Sequence, residues 1–251
     1  MRKLIVIFVC WGLSNTAFSL PNNQLTLHLV GDSTMSNKPN SAFPERGWGQ
    51  LLPQFFNRKL SIKNHAANGR STRRFIDEGR WSVVLSELHI DDYVLIQFGH
   101  NDQKVEDPKR YASVEEDYPA FLHRYIQDVK SKGAIPLIAS SICRRHFNEN
   151  GELERKLIDY AQAAKKVALE EDIVFFDLNQ ISCQFLAKIG EQQSQQYFIQ
   201  VPAGLYTRYP DGKIDNTHLN VIGASKIAQL FVLELKSKKH PLFNYVYRET
   251  L

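Results

Sequence analysis

Short runs of nearly uninterrupted apolar residues recur along this chain, and helical patterns separate them. The runs are Leu25 to Val30, Tyr93 to Phe98, Ile135 to Ala139 and Ile173 to Phe176, with Leu60 to Ile62 as a weaker fifth. A strand with one wet face alternates apolar and polar residues, so an unbroken apolar run is what a strand covered on both faces requires. Glu115 to Ser131 reads as a helix with Gly133 as its stop signal. Glu152 to Glu170 places Leu153, Leu157, Tyr160, Ala161, Ala164, Val167 and Ala168 at helical spacing, and Ile222 to Leu235 does the same with Ile227, Leu230, Phe231 and Leu235. Strand–helix alternation of this kind predicts an α/β fold: a three-layer α/β/α sandwich around a central, mostly parallel five-stranded sheet.

No Pro/Gly/Ser-rich linker and no internal repeat interrupts the pattern, so residues 20–251 read as one domain. Residues 190–213 lack periodicity and read as a long loop. The N-terminus differs. Arg2 and Lys3 precede an apolar stretch from Leu4 to Leu13, and Ala17-Phe18-Ser19 closes it with a small-x-small pattern. Residues 1–19 therefore read as a signal peptide cleaved after Ser19, which makes the protein secreted or periplasmic with no membrane attachment after cleavage. Loss of Arg2 and Lys3 lowers the formal net charge from +4 to +2, and no basic stripe remains that would suit a nucleic acid. Cys143 and Cys183 are too few for a disulfide framework; Cys143 follows an apolar run and reads as a small buried residue rather than half of a bridge. No Cys/His spacing resembles a zinc site.

In doubly wound sheets, ligands bind beyond the C-terminal ends of the strands. The first run leads into Gly31-Asp32-Ser33-Thr34, which fits a turn or helix cap as well as an exposed nucleophile. The second leads into Asn64-His65-Ala66-Ala67-Asn68-Gly69-Arg70-Ser71, where Gly69 offers a backbone N–H to a ligand. The third leads into Gly99-His100-Asn101-Asp102, where Asn101 offers an amide. Asp215-Asn216-Thr217-His218 opens the last helical pattern, and an Asp and a His three apart share one face of a turn or helix. His218 would then accept a proton from Ser33, with Asp215 fixing the imidazole. Each element has an ordinary structural reading, and the combination carries the chemistry.

In that order the four loops resemble the SGNH (GDSL-type) hydrolase superfamily. The resemblance implies a flavodoxin-like sheet, Ser33, His218 and Asp215 as catalytic residues, and an oxyanion hole from the N–H groups of Ser33 and Gly69 and the side chain of Asn101. It implies no cofactor and no metal. Asn64-x-Ala66-x-x-Gly69-Arg70-Ser71-x-Arg73-x-Phe75, Glu78-Gly79-Arg80-Trp81, Gln97 to Asp102, Arg144-Arg145-x-Phe147 with Asn150-Gly151, and Tyr209 to Lys213 are similar to the rhamnogalacturonan acetylesterase branch. Ser140-Ser141-Ile142-Cys143 departs from the Thr-Pro-Val-type stretch of that branch.

The branch implies an acetylated pectic polysaccharide, or its oligosaccharides, as partner. Asp32 and Asp102 are then supports, and His100 faces the substrate. Arg70, Arg73, Arg144 and Arg145 are candidates for its carboxylates. Trp48, Trp81 and Phe147 are candidates for sugar stacking, with core packing preferred for Trp81. The absence of an apolar lid predicts a small acyl group. An esterase for another acylated glycan or small ester, or a non-catalytic glycan binder, is the alternative.

Overall fold

The computed structural model of the protein describes residues 24–247, so the expected signal peptide lies outside the described residues. In chain order the elements are β1 (Thr26–Gly31), α1 (Trp48–Leu51), β2 (Ser61–Asn64), α2 (Thr72–Asp77), α3 (Arg80–Glu87), β3 (Tyr93–Gln97), α4 (Asp117–Ser131), β4 (Ile135–Ala139), α5 (Ile158–Glu170), β5 (Phe175–Phe176), α6 (Leu178–Ser194), β6 (Phe198–Val201), β7 (Lys213–Leu219) and α7 (Val221–Ser237). The first five strands form one parallel sheet in the order β2-β1-β3-β4-β5. The chain leaves β1 in one direction to build β2 and returns across it to build β3. The loops after β1 and β3 therefore diverge, and a crevice opens at their C-terminal ends.

Alternation along each strand divides the core. Leu27, Leu29, Leu95, Leu137 and Ala139 face one layer, where α7 packs Ala224, Ala228, Phe231 and Val232 beside Trp48 of α1. Val30, Val94, Ile96 and Ile138 face the other, against Phe75, Trp81, Tyr125 and Val167 from α2 to α5. Both faces are covered, which accounts for runs without polar positions. β2 is an edge strand with no fully buried residue, and its sequence signal is weak for that reason.

Three expectations need correction. The helix expected from Glu152 begins at Ile158. Leu153 matches the helical spacing but instead pairs back with Phe147 across a turn in which Asn148 Oδ1 accepts the N–H groups of Asn150 and Glu152. Residues 190–213 are not one loop: α6 kinks at Gly190, a second helical stretch runs on to Ser194, and β6 pairs antiparallel with β7. Gly190 takes φ +80 and ψ 173, outside the helical region, and so interrupts the period. Finally, Cys143 is buried as expected but is bonded to Cys183. The segment after β4 packs on α6 so closely that the two Cα atoms are 5.1 Å apart, within bridging range, and the Cys143 N–H donates to Ser182 Oγ at 2.8 Å.

Candidate active site

β1 ends at Gly31, and the chain turns sharply. Asp32 braces that turn: its Oδ1 accepts the N–H and hydroxyl of Thr34 at 2.9 and 2.8 Å, and its carbonyl accepts the Ser36 N–H. Ser33 is thereby set at the strand end, 8% exposed. After β2, Gly69 adopts φ +73, a backbone region that side chains disfavour. A Cβ at this position would have ample space, so conformation and not room calls for glycine here. After β3, Gly99 combines φ +141 with a crowded site, where a Cβ would lie 2.5 Å from Ser141 Oγ. That turn delivers His100, Asn101 and Asp102 to the crevice. Asn101 Nδ2 donates one proton to the Arg70 carbonyl at 3.0 Å, which pins the amide beside Gly69 and leaves its second N–H available. Asp102 joins the two loops by accepting the N–H and hydroxyl of Thr72. Burial outweighs those bonds and pushes its carboxyl up to about 7.

His218 arrives differently from the expected helix opening. Ile199 pairs with Asp215 and Phe198 with Leu219, so one step along β6 matches four along β7. Asn216, Thr217 and His218 bulge out of the hairpin between those pairs, and bulges re-aim side chains. Asp215 Oδ1 accepts the N–H groups of Thr217 and His218, both at 2.9 Å, and so fixes the bulge from within. Arg145 fixes it from outside. Its Nη1 and N–H donate to Asn216 Oδ1 and O at 3.0 and 2.9 Å, while Nε and Nη2 tie it to Ser194 and the Glu191 carbonyl of α6.

The result is a continuous hydrogen-bonded chain. Ser33 Oγ lies 2.9 Å from His218 Nε2, and His218 Nδ1 lies 2.8 Å from Asp215 Oδ2. Burial would raise the Asp215 carboxyl, but the His218 ring and the two backbone N–H groups outweigh it and hold the group well below the usual carboxylate range. An ionised carboxylate only accepts, so His218 carries its proton on Nδ1 and turns the Nε2 lone pair towards Ser33. This arrangement can deprotonate the serine hydroxyl as the oxygen attacks an acyl carbon. Ser33, Gly69, Asn101, His218 and Asp215 line one cavity of about 500 Å³.

The remaining candidates divide. His100 and Arg144 line the cavity. His100 is 3% exposed, and burial makes its ring harder to protonate than an ordinary imidazole, opposed by Asp32, whose Oδ2 lies 3.3 Å from Nδ1. Burial pushes the Asp32 carboxyl up, but His100 and the Thr34 bonds outweigh it and hold the group below its ordinary range. Trp48 was expected at the substrate and is instead fully buried, its Nε1–H donating to Gln97 Oε1 at 2.8 Å while its ring packs on Phe231. Arg70 also lies outside the cavity lining, with Nε and Nη2 engaged by Glu78. Arg73 binds the Tyr111 carbonyl and Asp117, and Phe147 lies 5.8 Å from the buried Arg145 guanidinium. Trp81 is core, as expected. Sequence reasoning missed Glu45, Lys104, Arg110 and Arg208, all cavity-lining residues on irregular segments where no periodicity marks a side chain's direction.

Among the described residues, His28, His65 and Glu87 form a group with metal-ligand chemistry. His28 Nδ1 and His65 Nε2 are hydrogen-bonded to each other at 2.9 Å and Lys63 Nζ donates to Glu87, so the atoms that face one another are already engaged by protein partners.

Residues 27–231 match the family model described as GDSL-like Lipase/Acylhydrolase. The chain is 35% identical over 222 residues to rhamnogalacturonan acetylesterase RhgT of Bacillus subtilis (strain 168), covering 88% of this chain and 94% of that protein. It is 32% identical over 223 residues to the probable rhamnogalacturonan acetylesterase YesY of the same organism, covering 89% and 98%. The crystal structure of protein YxiM from Bacillus subtilis superposes with a TM-score of 0.73 at 26% identity, over 87% of this chain and 58% of that one.

Proposed function

The chain belongs to the GDSL-like lipase/acylhydrolase family, and on that premise we propose that it is a secreted enzyme that removes acetyl groups from a rhamnogalacturonan-like pectic polysaccharide. The observation that carries the reaction type is the Ser33–His218–Asp215 chain at the mouth of the crevice. The names of the relatives at 35% and 32% identity support the substrate.

In the first half-reaction Ser33 Oγ attacks the acetyl carbonyl while His218 Nε2 takes its proton. The carbonyl oxygen becomes an oxyanion that accepts from the N–H groups of Ser33 and Gly69 and the free N–H of Asn101. These donors are already fixed, so they need no reorganisation, and one such donor contributes about 3 kcal/mol. Collapse expels the sugar oxygen, which takes the proton from His218. In the second half, water gives its proton to His218, attacks the acetyl-enzyme and releases acetate, and Ser33 regains its proton. Asp215 stays ionised throughout and stabilises the imidazolium.

A cavity lined by polar and charged groups favours a short acyl chain over a long one. The basic-then-apolar N-terminus and the Cys143–Cys183 bond both support export, since disulfides persist in oxidising compartments. Acetate release from acetylated rhamnogalacturonan, xylan and homogalacturonan, measured in parallel, tests the reading. Rhamnogalacturonan is expected to be deacetylated fastest, with the activity lost in Ser33→Ala; equal rates on all three would reject the substrate assignment.

A further inference from the structure

Ser33 and Gly69 lie on loops that leave neighbouring strands, β1 and β2, and each contributes an oxyanion donor. The spacing of the two loops therefore sets the width of the oxyanion hole. Their roots are tied by the Ala67 N–H, which donates to the Gly31 carbonyl at 3.0 Å. Further out, Asn68 precedes Gly69 on an exposed turn, where water competes for its side chain. Lys38, on the Ser33 loop, reaches that turn. It is 4% exposed, and Gln50 of α1 holds its backbone: Oε1 accepts the N–H at 2.9 Å and Nε2 donates to the carbonyl at 3.2 Å. Lys38 Nζ lies 2.8 Å from Glu45 Oε1 and donates to Asn68 Oδ1, which also accepts the Ser36 hydroxyl at 2.6 Å. Burial presses the ammonium below the usual lysine range, and Glu45 and Asp32 only partly oppose it. A buried ion pair is weak evidence for stability, because apolar residues of similar volume often do as well. What the charge adds is a bond to Asn68 about twice as strong as a neutral one.

We propose that Lys38 is a positioning residue for the oxyanion hole: through Asn68 it holds the Gly69 N–H in register with the Ser33 N–H. The contacts continue past Gly69. The Asn68 carbonyl accepts Arg70 Nη1 at 2.6 Å, and the Arg70 carbonyl accepts Asn101 Nδ2 at 3.0 Å, so the third donor is braced against the same turn. Lys38 does not line the cavity, so it acts on the acyl group only through that turn. An oxyanion donor works at its proper distance, and a misplacement of about 1 Å costs up to about 10²-fold in rate. The signature of Lys38 therefore belongs in kcat and not in KM. The inference rests on the esterase reading of the site.

Rates on a small neutral chromogenic acetate ester, taken well below each variant's unfolding midpoint, test it. Lys38→Met keeps a side chain of similar length without the ammonium, and it is expected to lower kcat at least about tenfold while KM moves by less than about twofold. Asn68→Ala, at an exposed position that folding tolerates, is expected to show the same loss, and it decides the matter where Lys38→Met does not fold. The double variant should lose no more than the larger single loss, because the two residues act as one unit. Inhibition by methylboronic acid reads the hole directly. Ser33 Oγ gives its lone pair to boron and its proton to His218, and a boron-bound oxygen then takes the place of the oxyanion. Its Ki should rise in step with the fall in kcat. Wild-type kcat in either single variant overturns the proposal. So do losses that multiply in the double variant, since Lys38 would then act by another route, and a Ki equal to that of the wild type. Failure of the esterase reading shows separately, as a wild-type protein that neither cleaves the ester nor binds the boronic acid.

Discussion

Replacing Asp215 by asparagine separates two jobs that one carboxylate performs. Oδ2 accepts from His218 Nδ1 at 2.8 Å, and Oδ1 accepts the N–H groups of Thr217 and His218. In Asp215→Asn the oxygen keeps the two backbone bonds, but the amide now donates towards His218. The ring must answer with a bare Nδ1 and a protonated Nε2, which cannot take the proton of Ser33. A wrong tautomer of this kind lowers kcat about 10⁴-fold, equivalent to about 5.5 kcal/mol of barrier. Neutral-pH stability should fall modestly, because the charge that His218 and the two backbone N–H groups stabilise is gone. Asp215→Ala loses the same tautomer control and both backbone bonds, which adds about 2 kcal/mol of destabilisation at about 1 kcal/mol per bond. Initial rates on a chromogenic acetate ester and urea midpoints would be measured for both variants. The acid limb offers an independent check. A carboxyl held low in the folded state contributes stability that is complete above its unfolded pKa of about 3.9 and is lost as pH falls through the folded value, so Asp215→Asn should lose less stability in acid than the wild type. If Asp215→Asn retains more than a tenth of wild-type kcat, the tautomer argument is wrong.

Four further outcomes follow from the same contacts. Asn101→Ala is expected to lower kcat about 10²- to 10³-fold on a small acetate ester with little change in KM, as a lost oxyanion donor does. Cys143→Ala with Cys183→Ala opens a link across 40 positions and should lower unfolding free energy by about 4 kcal/mol in chemical denaturation; a change under about 1 kcal/mol would contradict this. Arg145→Met should reduce kcat at least about tenfold with KM nearly constant, because Arg145 holds Asn216 in the bulge and has no place at the substrate. The Asp102 carboxyl, raised to about 7, binds its proton more tightly folded than unfolded, so wild-type stability should fall with rising pH between about 4 and about 7, by up to about 1.4 kcal/mol per unit. Asp102→Asn should flatten that slope in urea midpoints taken at successive pH values.

The sheet was legible because burial on both faces writes itself into composition, and the loops that bring Ser33, Gly69 and Asn101 to one cavity were legible because strand ends locate them. What failed to show had no local signature. Trp48 looked available for a sugar, but only the fold reveals that Gln97 and Phe231 already occupy it. Arg70 looked like a carboxylate ligand until Glu78, eight residues on, claimed it. The bond between Cys143 and Cys183 depends on how the segment after β4 packs on α6, which no spacing encodes. The placement of His218 depends on a strand register, and helical spacing of Asp215 and His218 gave the right pair on the wrong element. Lys104 and Arg110, from the segment between β3 and α4, meet Arg208, from the segment between β6 and β7, so their convergence is a property of the tertiary structure alone.

The hairpin of β6 and β7 stands apart from the five-stranded sheet. Ser33 is fixed by the end of a sheet strand, whereas His218 is fixed by the register of a separate hairpin that Arg145 ties to α6. The two halves of the proton-transfer pair are therefore held by different units of the fold, and a change that loosens the hairpin separates them while every strand of the main sheet keeps its partners.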